Sequence, residues 1–308
     1  MSGLPSIFRT DRGWRAEWRF AAFLVLYIAG GKALDAILAR IHFPGRVFTW
    51  SSLLLNYLLD FVFLSAIVWL MSRVEHKPFS SYGLPLVPGA GKLFWKGSLW
   101  GFLPSAVILV PIYFAGGCTF HGLALGGREF VFYALAWALA MLALGFGEEF
   151  LFRGYALSTL AEAIGFWPAA IFLSSVFGLL HLILKPHEDW IDPLSVALYG
   201  IFWCLTLRRT GSLWFAVGFH AASDYADMIV FAEPNSGNYG KPVPGHLLDV
   251  RFPGPDWLTG GPRGTEASLL VFAVLLGLFY FFNRAYPAGA ARETSANPGA
   301  SPAPREQA

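Results

Sequence analysis

The chain has 308 residues, of which 56% are hydrophobic and 14% charged, with a formal net charge of +2. Soluble domains carry about 25% charged residues, so this composition, with a mean hydropathy of +0.52, excludes an ordinary water-soluble globule. So small a net charge argues against nucleic acid as a partner, and leaves an all-α, polytopic transmembrane helical bundle whose first partner is the lipid bilayer.

Residues 1–19 are polar and carry Arg9, Arg12, Arg15 and Arg19. No clear small-residue cleavage site follows, so the next stretch reads as a first membrane helix and not as a cleaved signal. Apolar segments then run over 20–38, 50–71, 97–116, 130–146, 167–184, 194–207, 212–231 and 267–282. Most approach the roughly 20 residues that a crossing needs. Residues 147–164 continue the fourth segment without a turn signal. Counted with it they give eight membrane helices, and counted alone they give nine.

The arginines ahead of the first segment place the N-terminus in the cytoplasm, and Arg208, Arg209 and Arg284 favour eight crossings by the same rule. Nine would instead bring Glu148 and His181 to similar depth. No strand-like alternation is present. The predicted organisation is N-terminal transmembrane helices over 1–129, a helical core carrying the chemistry over 130–232, an extramembrane loop and last membrane helix over 233–286, and a disordered tail over 287–308. Cys118 and Cys204 are expected to be unpaired thiols.

The most informative stretch is Gly147-Glu-Glu-Phe-Leu-Phe-Arg-Gly-Tyr155. An ionised group at the centre of a bilayer costs a few kcal/mol and by default marks function. Glu149 and Arg153 are four apart, share a helix face and can pair. Glu148 points elsewhere and has no such local partner. His181 is the only strongly polar side chain late in its apolar run, one turn after Phe177. His220 and Asp224 are again one turn apart. Singly, these read as a hydrogen-bonded core histidine and a polar seam between helices. Together, a carboxylate and two histidines on separate helices can hold a water or a divalent metal. The metal ligands would be Glu148, His181 and His220, a set that suits zinc. Glu148 can act as general base on a bound water. Without a metal, His220 and Asp224 could stabilise an oxyanion.

Glu-Glu-x-x-x-Arg at Glu148, Glu149 and Arg153, Phe-x-x-x-His at Phe177 and His181, and His-x-x-x-Asp at His220 and Asp224 resemble, in type and order, the motifs of the CPBP intramembrane proteases, also called the Abi or CAAX prenyl protease type II family. The resemblance covers about residues 130–232. It implies a membrane-embedded endopeptidase, often called a metalloprotease, acting on a membrane-associated protein or peptide. Glu148 and His181 would activate water, with Glu149 beside them. His220 and Asp224 would form the oxyanion side, and Arg153 and Phe177 would give structural support. Asp224 stands where the prenyl-protein branch has asparagine, which weakens a neutral-donor role and hints at a bacterial inner-membrane protein. The alternatives are a non-catalytic member of the Abi type, serving immunity or protein handling, and a proton-coupled transporter using Glu148, His181 and Asp224. The chain lacks the inverted repeats that many transporters carry.

Overall fold

Lipid offers no hydrogen bonds to a backbone, so an apolar chain must satisfy its own N–H and C=O groups within helices. The computed structural model describes residues 8–10, 13–43, 45, 47–86, 88–185 and 188–288. Arg12 and the expected tail from residue 289 onward lie outside them. The principal helices are α1 (Ala16–Arg40), α2 (Trp50–Glu75), α3 (Ala90–Phe114), α4 (Gly127–Ile164), α5 (Phe166–Leu184), α6 (Ile191–Thr210), α7 (Trp214–Asp224) and α8 (Leu270–Ala285). The chain is an all-α polytopic bundle. Among the described residues, the first six of these helices are long and apolar enough to cross a membrane. The last two apolar stretches form shorter helices, α7 continuing through a π-helical Tyr225–Val230.

Residues 147–164 do not begin a separate helix. They belong to α4, a run of 38 residues. Its middle is a π-helical segment, Phe150–Ala156, with a kink at Gly154 (φ −80°, ψ −113°). A Cβ there would lie 2.8 Å from the Phe150 ring. The chain then reverses at Gly165, whose φ of +86° suits glycine. Glu148 lies 17 residues before Gly165 and His181 lies 16 after it. The reversal therefore returns His181 toward the level of Glu148.

Strand is present where none was expected. Thr119–Leu123 pairs antiparallel with Leu248–Arg251, and Arg9–Thr10 pairs with Gly13–Trp14. The first ribbon lies between helices and the second ahead of α1, and both are short extended pieces that escape a reading that looks for alternation over longer runs. Cys118 and Cys204 are buried free thiols.

Tightly packed glycines seat α7 against α3. A Cβ on Gly97 would overlap the Phe215 carbonyl, one on Gly101 the Phe219 carbonyl, and one on Gly218 the Phe94 carbonyl. Small residues let membrane helices approach this closely. Because α7 carries His220 and Asp224, these glycines set where both side chains stand. Replacing Gly101 by leucine should destabilise the protein by about 1–3 kcal/mol, the usual scale of overpacking, read as a lower unfolding temperature in detergent.

Candidate active site

The site is assembled around a buried charge. The side chains of Glu149 and Arg153 are each 0% exposed, and Arg153 Nη1 lies 3.2 Å from Glu149 Oε1. Arg153 is sandwiched by aromatic rings, its guanidinium carbon 4.8 Å from the Phe177 centroid and 5.1 Å from that of Trp203. Room for it comes from Gly200, where a Cβ would run into Arg153 Nη2 and lie 2.9 Å from Ser174.

The same Glu149 oxygen accepts a second hydrogen bond, from His220 Nδ1 at 3.0 Å. A carboxylate can only accept, so Nδ1 carries the proton and Nε2 is left for chemistry. Trp203 stacks on the His220 ring with centroids 4.3 Å apart and planes 14° apart. His220 Nε2 is 3.7 Å from Asp224 Oδ2 and 3.8 Å from Glu148 Oε2. The carboxylate that orients His220 most closely is therefore Glu149, from a neighbouring helix, and not the Asp224 one turn away on its own helix. One helical turn sets Asp224 beside Nε2, while α4 reaches the opposite ring nitrogen.

His181 is fixed in a parallel way. Its Nδ1 donates to the Phe177 carbonyl at 2.9 Å, which again leaves Nε2 available. Its ring also meets the Phe177 ring edge-on at 4.7 Å. Glu148 has a partner that the sequence did not suggest: the Tyr57 hydroxyl, on α2, donates to Oε1 at 2.8 Å. Tyr57 lies 91 residues away inside an apolar run, where a tyrosine carries no distinguishing signal.

Glu148, His181, His220 and Asp224 line one cavity of about 140 Å³, with Tyr57, Phe177 and Trp203. Glu149 and Arg153 are absent from its wall and sit behind it. Polar side chains beyond the expected set also line the cavity: Asp227 below Asp224, Lys185, and Glu233, Asn235, Arg263 and Glu266 from the polar stretch between α7 and α8. Among the described residues no group of three or more His, Cys, Asp or Glu side chains is arranged to hold a metal ion. Glu148, His181 and His220 line the cavity without making up such a group.

A family model described as Type II CAAX prenyl endopeptidase Rce1-like matches residues 129–226. That stretch is similar to an Rce1-like domain. Glu148, Glu149, Arg153, Phe177, His181, His220 and Asp224 all lie inside it, whereas Tyr57, Glu233 and Arg263 lie outside. The uncharacterized protein YyaK of Bacillus subtilis (strain 168) is 26% identical over 281 residues, covering 82% of this chain and 90% of that protein. The likeness to YyaK therefore extends well beyond the Rce1-like domain. No solved structure matches.

Removing one partner of a buried ion pair leaves an uncompensated charge and costs about 3–5 kcal/mol. Arg153→Met should lose stability on that scale in detergent unfolding. It should lose more than Glu149→Gln Arg153→Met, in which no unpaired carboxylate remains.

Proposed function

We propose that this chain is an intramembrane endopeptidase that hydrolyses a peptide bond of a membrane-associated protein or peptide by general-base catalysis from Glu148. The observation that carries the reading is the convergence of Glu148, His181 and His220, from three helices, on one cavity, with Nδ1 of each histidine engaged by an oxygen acceptor. Supporting it is the Rce1-like domain that contains all three residues.

In this mechanism a water in the cavity is held between Glu148 and His181 Nε2. Glu148 takes one proton as the water oxygen bonds to the scissile carbonyl carbon. Tyr57, donating to Glu148 Oε1, holds the carboxylate in one orientation and leaves Oε2 to take that proton. The carbonyl oxygen becomes an oxyanion. Doubly protonated His220 would donate to it through Nε2–H, while Nδ1–H remains on Glu149. The carboxylates of Glu148, Glu149 and Asp224, 3.0–3.8 Å from the ring, balance that charge. Asp224 thereby acts on His220 and not on the oxyanion, a role that an ionised acid can fill and that needs no asparagine. Collapse of the tetrahedral species breaks the C–N bond, and the proton on Glu148 passes to the leaving amine. Enclosure of the cavity by helices limits bulk water and strengthens each of these interactions.

Glu148→Gln and His181→Ala, reconstituted in vesicles with a cleavable membrane peptide, should each lose activity by at least about 100-fold, the lower end of what a positioned base supplies. Both should remain monodisperse in detergent. Full cleavage by either variant would sink the mechanism. Because this reaction uses no metal, activity should survive prolonged treatment with EDTA or 1,10-phenanthroline. Loss on chelation with recovery on adding zinc would return Glu148, His181 and His220 to a ligand role.

Tyr57→Phe should lower kcat by about 10- to 100-fold, the scale of one hydrogen bond to a charged group. KM should hardly move, because the hydroxyl acts on Glu148 and not on the substrate. A loss of stability with an unchanged kcat would assign Tyr57 to packing alone.

A further inference from the structure

The cavity extends past the proposed catalytic groups, and its far wall has an imbalance. The lining carboxylates are Glu148, Asp224, Asp227, Glu233 and Glu266, and the cations are Lys185 and Arg263, with His220 as a third when doubly protonated. All three are already engaged, His220 by Glu148, Glu149 and Asp224. Arg263 Nη1 pairs with Asp189 and lies 3.1 Å from Asp192 Oδ2, and Lys185 Nζ is 3.8 Å from Glu266.

What remains on that wall is acceptors. Glu233 is 2% exposed; its Oε2 accepts from the Thr265 backbone N–H at 2.7 Å, while its buried Oε1 has no donor among the described residues. Asn235 is 8% exposed, and among the described residues its Oδ1 also has no donor. Asp227 Oδ1 is a third buried acceptor without a donor among them. A buried acceptor left unmade costs about 1–3 kcal/mol. Three of them on one cavity wall therefore call for a partner rich in donors. Burial, with Glu266 nearby, raises Glu233 to about 7, the response of a carboxylate in a site that lacks its cation.

We propose that the cavity wall formed by Asp227, Glu233 and Asn235 is a subsite for an ammonium or guanidinium group of the substrate. The assignment to a substrate, though not to a cation, rests on the peptidase reading above. An ammonium offers three donors, a guanidinium five, and neither carries an acceptor, which is the complement of this wall. A metal ion is a poorer match, since it needs a tight convergence of ligands and among the described residues no group of three acids or histidines provides one. A free C-terminal carboxylate would meet like charge here. The subsite therefore favours a membrane peptide with a basic side chain or a free amine near the scissile bond over one that presents its carboxyl end to this wall.

The test is calorimetric binding to the full chain in detergent, so that it does not depend on turnover. The probes are n-butylguanidinium and n-butylurea, which have nearly the same shape and differ in charge. The intact protein should bind the guanidinium at least about tenfold more tightly than the urea, a difference near 1.4 kcal/mol. Glu233→Gln and Asp227→Asn should each erase most of that preference, and Glu148→Gln should keep it. If Glu233→Gln fails to fold, Asn235→Leu serves as the second variant, with the same expected loss. Equal binding of the two probes, as in a pocket that merely holds water, overturns the proposal. So does a preference that persists in folded Glu233→Gln and Asp227→Asn, or displacement of the guanidinium by micromolar calcium or magnesium. A protein that binds the guanidinium selectively yet cleaves no peptide would retain the cation site while removing the peptidase reading.

Discussion

The fully buried ion pair of Glu149 and Arg153 is the interaction on which the rest of the site depends. Neither charge could stay inside the bundle without the other. Its needs shape four helices: α4 supplies both charges, α5 the Phe177 ring against the guanidinium, and α6 Trp203 and the space at Gly200. From α7, His220 takes the remaining reach of the Glu149 oxygen. A residue that only steadied its own helix would need none of this. The pair instead transmits position from the interior of α4 to an imidazole on the cavity wall.

This arrangement separates two adjacent carboxylates by task. Successive residues on a helix diverge by about 100°, so Glu149 faces inward to Arg153 and His220 while Glu148 faces the cavity and Tyr57. Each histidine is oriented by a different kind of acceptor, a carboxylate for His220 and a main-chain carbonyl for His181. The outcome is the same for both: Nδ1 is occupied and Nε2 is left for chemistry. The π-helical segments that follow Glu149 and Asp224 sit where such distortions recur in proteins, at the edge of functional positions.

Much of the helical content and the membrane setting could be read directly. Apolar runs of this length have one stable backbone solution in lipid. The Glu149–Arg153 pairing was equally legible, because spacing by four residues is a local geometric fact. The kink at Gly154 was not, nor the role of Gly200. Each depends on a ring or guanidinium brought in from elsewhere in the chain, and glycine by itself does not say what approaches it. The acidic wall formed by Asp227, Glu233 and Asn235 was hidden for a related reason. Two of its members lie in a polar stretch between helices, where charged and amide residues are ordinary.

By itself the sequence determined that this is a helical membrane protein, that Glu148 lacks a partner on its own helix, and that Glu149 has one. Those conclusions follow from composition and from the helical repeat, which act over a few residues. Only the tertiary structure decided that Tyr57 holds Glu148 and that Glu149, ahead of Asp224, orients His220. The reversal at Gly165 likewise brings His181 into the cavity that Glu148 lines. These are matters of helix approach and depth. They are set by small residues and by one buried charge pair whose partners lie far apart in the chain.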